Sequence, residues 1–159
     1  LVTDVSAKRR IPIVINGDIQ TADDAIMLLT QKNADGVMIG RAATARPWII
    51  WQIAHKLGYA KPPLAYPGQL PPETPLEEGR AFLEAMLHYI DYLNLYFDNE
   101  ERQLRRVRFH VINAQKWFFY GHSYYSKAMK AKSLLELSDS TRAMLEDVEF
   151  PMSGRINLL

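Results

Sequence analysis

Residues 11–16 (IPIVIN) form a short apolar, β-branched run, and residues 35–40 (DGVMIG) form a second. Runs of this length and composition predict two strands buried on both faces of a parallel sheet. Between them, Thr21 stands where its hydroxyl can accept a free backbone N–H. Asp23 and Asp24 follow at the positive end of a helix predicted to run to about residue 32. Pro47 is placed to open a further helix in its first turn, leading into WIIWQIAHKLG. The order β, α, β, α belongs to crossover units of a parallel sheet, either open or closed into a barrel.

The pattern then breaks. Residues 58–75 carry six of the nine prolines and two glycines, which reads as an interdomain linker without regular structure. Beyond it the hydrophobic period becomes 3.6, predicting helices over 76–97, 100–119, 123–135 and 139–148. The expected fold class is therefore α/β plus all-α, with a β/α domain at 1–57 and a helical domain at 76–159. No internal repeat or low-complexity tract is present.

Composition narrows the chemistry. A chain of 159 residues that is 48% hydrophobic and 23% charged is ordinary for a globular protein, and its formal net charge is only +1. Without cysteine, disulfides, thiolate metal sites and a cysteine nucleophile or acid are excluded within this chain, and a reducing compartment is the natural setting. No metal site is expected. No run reaches the 18 or so apolar residues of a membrane span, and the N-terminus lacks a signal pattern, so a cytoplasmic protein with no membrane partner is expected. The sequence opens on Leu1 only ten residues before a strand, which suggests the C-terminal part of a longer protein.

Charge is sorted within the helical part. From Glu73 to Glu101 there are eight acidic residues against Arg80 alone, whereas Arg102 to Lys132 holds eight lysines or arginines and no acid. On a helical projection of 102–119, Leu104, Val107, Val111, Ala114 and Phe118 make the buried stripe. Arg102, Arg105, Arg106, Asn113 and Lys116 crowd the opposite side. A solvated basic face is the plain explanation. Against it stand Trp117, Phe118, Phe119, Tyr120, His122, Tyr124 and Tyr125, since cations that track phosphates beside rings that stack on bases make an RNA-binding surface. The competing assignment for those rings is the core.

Both strand-like runs end in glycine turns, Asn16-Gly17-Asp18 and Gly40-Arg41. Such turns leave backbone N–H groups free with no Cβ in the way, so a phosphate fits, and Arg41 can add a charge-assisted bond. In (β/α)8 barrels the loops after the seventh and eighth strands often build this pocket together. A tight turn with no ligand is the alternative for either glycine taken singly. Neither turn is a G-x-G-x-x-G dinucleotide fingerprint.

PIVINGDI, ADGVMIGRAA and RPWI, in this order and spacing, resemble the closing β/α units of the tRNA-dihydrouridine synthases, most of all their bacterial B-type branch. RFH at 108–110 and WFFYGH at 117–122 resemble the basic, aromatic stretch of that family's C-terminal domain. RFH departs from the commoner basic-basic-His pattern by placing Phe109 in the middle.

The resemblance implies the last two β/α units of an FMN-binding TIM (β/α)8 barrel followed by a helical bundle that helps hold tRNA. NADPH would be the reductant, and reduction of specific uridines to 5,6-dihydrouridine the reaction. Asn16, Gly17, Asp18, Gly40 and Arg41 match the family's FMN turns. Arg102, Arg105, Arg106, Arg108, His110 and Lys116 are assigned to tRNA.

The family's catalytic cysteine lies on earlier strands, so this chain carries no catalytic residue and is expected to be inactive alone. His55, His88, His110 and His122 fall after the barrel motifs and are assigned to helix surfaces or RNA contact. The full-length enzyme is expected to be monomeric. Two alternatives compete: an autonomous RNA-binding module, and another FMN-dependent TIM-barrel oxidoreductase.

Overall fold

A computed structural model describes residues 11–32, 34–59, 68–147 and 149–157. Residues 60–67, the middle of the expected linker, and residue 148, the expected end of the last helix, lie outside the described part. The chain divides into two units, with the boundary between Pro72 and Glu73.

In the first unit, β1 (Val14–Asn16) and β2 (Gly36–Met38) pair in parallel, with Val14 opposite Gly36, Ile15 opposite Val37 and Asn16 opposite Met38. Both strands are shorter than the apolar runs, and neither is buried on both faces: Val14 and Met38 are 61% and 49% exposed. The reason is geometric, because a sheet of two strands with one crossover helix has too few neighbours to cover both faces. The Ile13 N–H donates to Asp35 Oδ2 at 2.7 Å, helping to fix the register where the two strands begin.

The crossover helix α1 (Ala22–Thr30) starts at a full capping box. Thr21 Oγ1 accepts the Asp24 N–H, and the Asp24 carboxylate accepts the N–H groups of Thr21 and Gln20. A five-residue helix, α2 (Arg41–Ala45), which the apolar pattern does not predict, follows Gly40 directly, and α3 (Ile49–Lys56) comes next. Pro47 is not in the first turn of α3. It precedes the N-cap residue Trp48, so the proline shapes the approach to the helix rather than its start. Lys56 Nζ reaches back to Asp23 at 2.6 Å, tying α3 to α1.

The second unit is all-helical: α4 (Pro75–Tyr96), α5 (Glu100–Ala114), a 3-10 turn (Gln115–Trp117), α6 (Gly121–Lys130) and α7 (Leu134–Asp147). Thr74 and Glu77 form a capping box at the start of α4, with Pro75 in its first turn. Asn99 Oδ1 caps α5 through the Arg102 N–H. Phe82, Leu83, Met86 and Ile90 of α4 meet Val107 and Val111 of α5, Tyr124 of α6, and Leu137 and Met144 of α7, all nearly inaccessible.

The projected stripe Leu104, Val107, Val111, Ala114 and Phe118 is buried throughout, but the helix that carries it stops at Ala114. The 3-10 turn winds more tightly than an α-helix, and Phe118 then becomes extended. Successive large rings, Trp117 and Phe118, thereby both enter the core, which one straight helix face could not achieve. Gly121 permits this reversal, because a Cβ there would stand 1.8 Å from the Gln115 carbonyl oxygen. The third helix accordingly occupies 121–130 instead of 123–135. The fourth begins at Leu134 instead of residue 139, where Ser133 Oγ accepts the Glu136 N–H and the Glu136 carboxylate accepts the Lys132 N–H. Residues 149–153 then return across the bundle. Phe118 bridges Met152, Phe119 N–H donates to the Pro151 carbonyl, and Met152 N–H donates to the Pro75 carbonyl at 2.9 Å.

Candidate functional site

Because β1 and β2 are parallel neighbours, the turns that follow them emerge at the same end of the sheet. Asn16, Gly17, Asp18, Gly40 and Arg41 line a single cavity of about 290 Å³, together with Ile19, Met38 and Ala42. Gly17 has φ +137° and Asp18 φ +43°, so the chain bends through left-handed backbone where glycine is the least strained residue. A Cβ added at Gly17 or Gly40 would meet nothing within 4 Å, so both glycines face open space that a ligand could enter. Arg41 Nη2 lies 2.8 Å from Asp18 Oδ1, and both side chains are more than half exposed. The cavity thus offers backbone from two turns, one guanidinium and one carboxylate. That set suits a phosphate with a polar tail, and the open space at both glycines fits a bound phosphoester.

Arg46 is a residue that sequence reasoning missed. It is 2% exposed and donates from Nη1 to the Gln20 carbonyl at 2.8 Å, bracing the loop that leaves the Gly17 turn against the end of α2. An arginine beside proline in RPW was its only trace in the sequence.

The residues assigned to RNA separate into two groups. Arg102, Arg105, Arg106 and Lys116 are exposed. Arg108 is half-buried and caps the end of α6, donating from Nη2 to the Ala131 carbonyl at 2.9 Å and from Nε to the Ala128 carbonyl at 3.3 Å. His110 packs against the rings of Phe82 and Tyr89, with centroids 6.2 and 5.4 Å away, and burial lowers its pKa from the usual histidine value. Among the seven aromatic and histidine residues at 117–125, Trp117, Phe118 and Tyr124 belong to the core. Burial pushes the Tyr124 hydroxyl up to about 12, partly opposed by its hydrogen bond with Thr141. Phe119, Tyr120 and His122 are exposed.

Arg106 finds its ring elsewhere: its guanidinium carbon is 4.5 Å from the centroid of Phe97. Among the described residues no group of three or more His, Asp or Glu side chains is gathered as a metal site would require, and no helix is long and apolar enough to cross a membrane.

A parallel β/α pair with a two-turn cradle, joined in one chain to a helical bundle with a basic face, is the combination found in this sequence. The profile of the dihydrouridine synthase (Dus) family matches residues 1–149, and the chain belongs to that family. The bacterial B type is represented among its relatives. It is similar to a tRNA-dihydrouridine synthase B of Vibrio cholerae, 31% identical over 142 residues, which covers 89% of this chain and 39% of that protein. One from Xanthomonas axonopodis is 29% identical over 147 residues, covering 92% and 39%. Another, from Pseudomonas aeruginosa, is 36% identical over 101 residues, covering 64% and 27%. The chain thus spans about two fifths of the length of the first two relatives.

Proposed function

We propose that this chain is the C-terminal portion of an FMN- and NADPH-dependent tRNA-dihydrouridine synthase, and that the complete protein reduces uridines of tRNA. Residues 1–57 contribute the last two β/α units of a (β/α)8 barrel, residues 58–75 are the linker, and residues 76–159 form the tRNA-binding bundle. The observation that carries this reading is the convergence of Asn16, Gly17, Asp18, Gly40 and Arg41, drawn from two turns 22 residues apart in register, on one cavity at the strand ends. The exposed apolar residues Val14 and Met38 agree with a sheet that extends through further strands.

In this reading the Gly17 and Gly40 turns hold the FMN phosphate by backbone N–H groups and Arg41 neutralises its charge. FMN, once bound and reduced by NADPH, would supply the hydride for the uracil double bond, with the proton coming from the catalytic acid. The catalytic acid belongs to other strands, so this chain binds and orients but does not protonate. Arg102, Arg105, Arg106 and Lys116 hold phosphates of the tRNA, which requires no sequence readout. The complete enzyme is cytoplasmic and monomeric.

The test is the visible spectrum of the protein expressed from its complete gene. A flavin band near roughly 450 nm, released by heat as FMN and discharged by NADPH, is the expected result. A colourless protein that still binds tRNA would replace the enzyme with an RNA-binding module.

A further inference from the structure

The charge of α4 is sorted by flank as well as along the sequence. Glu77, Glu84 and Asp91 recur every seven residues on one side. That side turns toward α7, where Arg80 pairs with Glu84 at 3.4 Å and reaches the Leu145 carbonyl. The other flank carries Tyr89, Tyr92 and Tyr96 and turns toward α5, as the Tyr89–His110 ring contact establishes. Tyr92 and Tyr96 are 60% and 72% exposed, and their rings stack at 6.4 Å with an interplanar angle of 29°. Across from this flank stand Arg106, held over Phe97 and near enough to Tyr89 to oppose in part the rise that burial imposes on its hydroxyl, and Arg102 one turn earlier. Among the described residues these two arginines have no carboxylate partner.

Exposed tyrosines of this kind serve no purpose in the core of the bundle. Tyrosine and arginine are also enriched in protein interfaces, so what favours RNA is the pair of arginines left, among the described residues, without a carboxylate beside the rings. Here Arg102 and Arg106 stand beside exposed rings at the head of a segment, Arg102 to Lys132, that holds no acid, an arrangement that complements a phosphate backbone with unpaired bases. We infer that the Tyr92–Tyr96 pair is a stacking platform for unpaired bases of RNA, with Arg102 and Arg106 holding the flanking phosphates. This rests on the tRNA-binding reading and adds to it a face of α4 that the basic residues of α5 do not themselves supply.

The test measures binding of the full chain to tRNA and to a single-stranded oligouridylate, by fluorescence anisotropy across a salt series. Replacing both tyrosines by alanine (Y92A with Y96A) should weaken oligouridylate binding by about fivefold or more while leaving the log–log salt slope unchanged, because stacking releases no counterions. Replacing both by phenylalanine should restore wild-type affinity, which a role of the hydroxyls would not, and an unchanged melting temperature of the alanine pair excludes a role in folding. R106A should flatten the slope instead. If the alanine pair binds both RNAs like wild type while R106A weakens them, the platform is overturned and the basic face survives. If the unaltered chain binds neither RNA, the platform falls together with the tRNA-binding reading.

Discussion

Arg41 Nη2 and Asp18 Oδ1, 2.8 Å apart, join the turn after β1 to the turn after β2. An exposed pair of this kind contributes little to stability, about 0–1 kcal/mol, so D18N should leave the melting temperature nearly unchanged. Its value lies in holding the guanidinium over the cavity. R41A in the protein expressed from its complete gene should lower FMN affinity about tenfold or more, the worth of one charge-assisted hydrogen bond. G40V should remove the flavin altogether by filling the space a phosphate would enter. Equal flavin affinity in R41A would take Arg41 out of the site.

The two kinds of arginine on α5 should respond differently. R108A removes the donors that cap the Ala128 and Ala131 carbonyls, so it should destabilise the bundle by about 1.5–3 kcal/mol. R105A should leave stability within about 0.5 kcal/mol, since that residue is exposed, but should reduce the salt slope of tRNA binding by about one. Urea unfolding and a salt series on the same two variants decide between these roles. An R108A protein of normal stability would contradict the capping assignment.

Gly79 of α4 has no room for a side chain, because a Cβ would stand 1.6 Å from the Phe150 carbonyl oxygen. The obstacle is backbone, which cannot rotate aside as a side chain can. G79A should therefore cost about 1–3 kcal/mol, although alanine is the better helix former, and should lower the melting temperature of the bundle. A G79A protein that melts at the wild-type temperature would show that residues 149–153 move away easily.

The ring of His110, packed against Phe82 and Tyr89, gives the bundle an acid-sensitive point. Burial favours the neutral imidazole, so the folded pKa lies below the ordinary value and the unfolded chain takes up its proton first. The stability tied to the neutral ring is present above about pH 6.5 and is lost as the pH falls through the lower folded value. The urea midpoint should fall between pH 7.5 and 5.5, a window above the carboxylates, and less so in H110F. At the alkaline end, Tyr124 is held neutral up to about 12, so its contribution is present below about pH 10 and lost as the pH rises from there toward 12. Y124F should reduce that alkaline slope, leaving the smaller share of Tyr89, whose hydroxyl burial also pushes up.

What the sequence made legible were features written in neighbouring residues. The strands within the two β-branched runs, the Thr21 cap, the glycine turns and the buried stripe from Leu104 to Phe118 are all local, and each lies where its pattern points. Helix ends were harder. Ser133 and Glu136 form a capping signature at the true start of α7, yet the apolar residues after it suggested a later one. The stripe continues through Trp117 and Phe118 although the helix does not, because side-chain periodicity is silent about a backbone that tightens and reverses.

Long-range partners were out of reach. Nothing near Arg108 announces that carbonyls 20 and 23 residues away need its donors. Likewise, the spacing of Tyr89, Tyr92 and Tyr96 marks one helix face without saying that Arg106 stands beside it.

The meeting of Pro75 with Met152 makes the bundle a closed loop of chain, entered and left at nearly the same point. Such a module can be attached to a host protein at a single seam, or have its ends rejoined and be reopened elsewhere, with little change to its interior. It also sets a schedule for synthesis: α4, α5 and α6 can form as they emerge from the ribosome, but the groove between Gly79 and Trp117 stays open to water until residues 149–153 arrive to fill it.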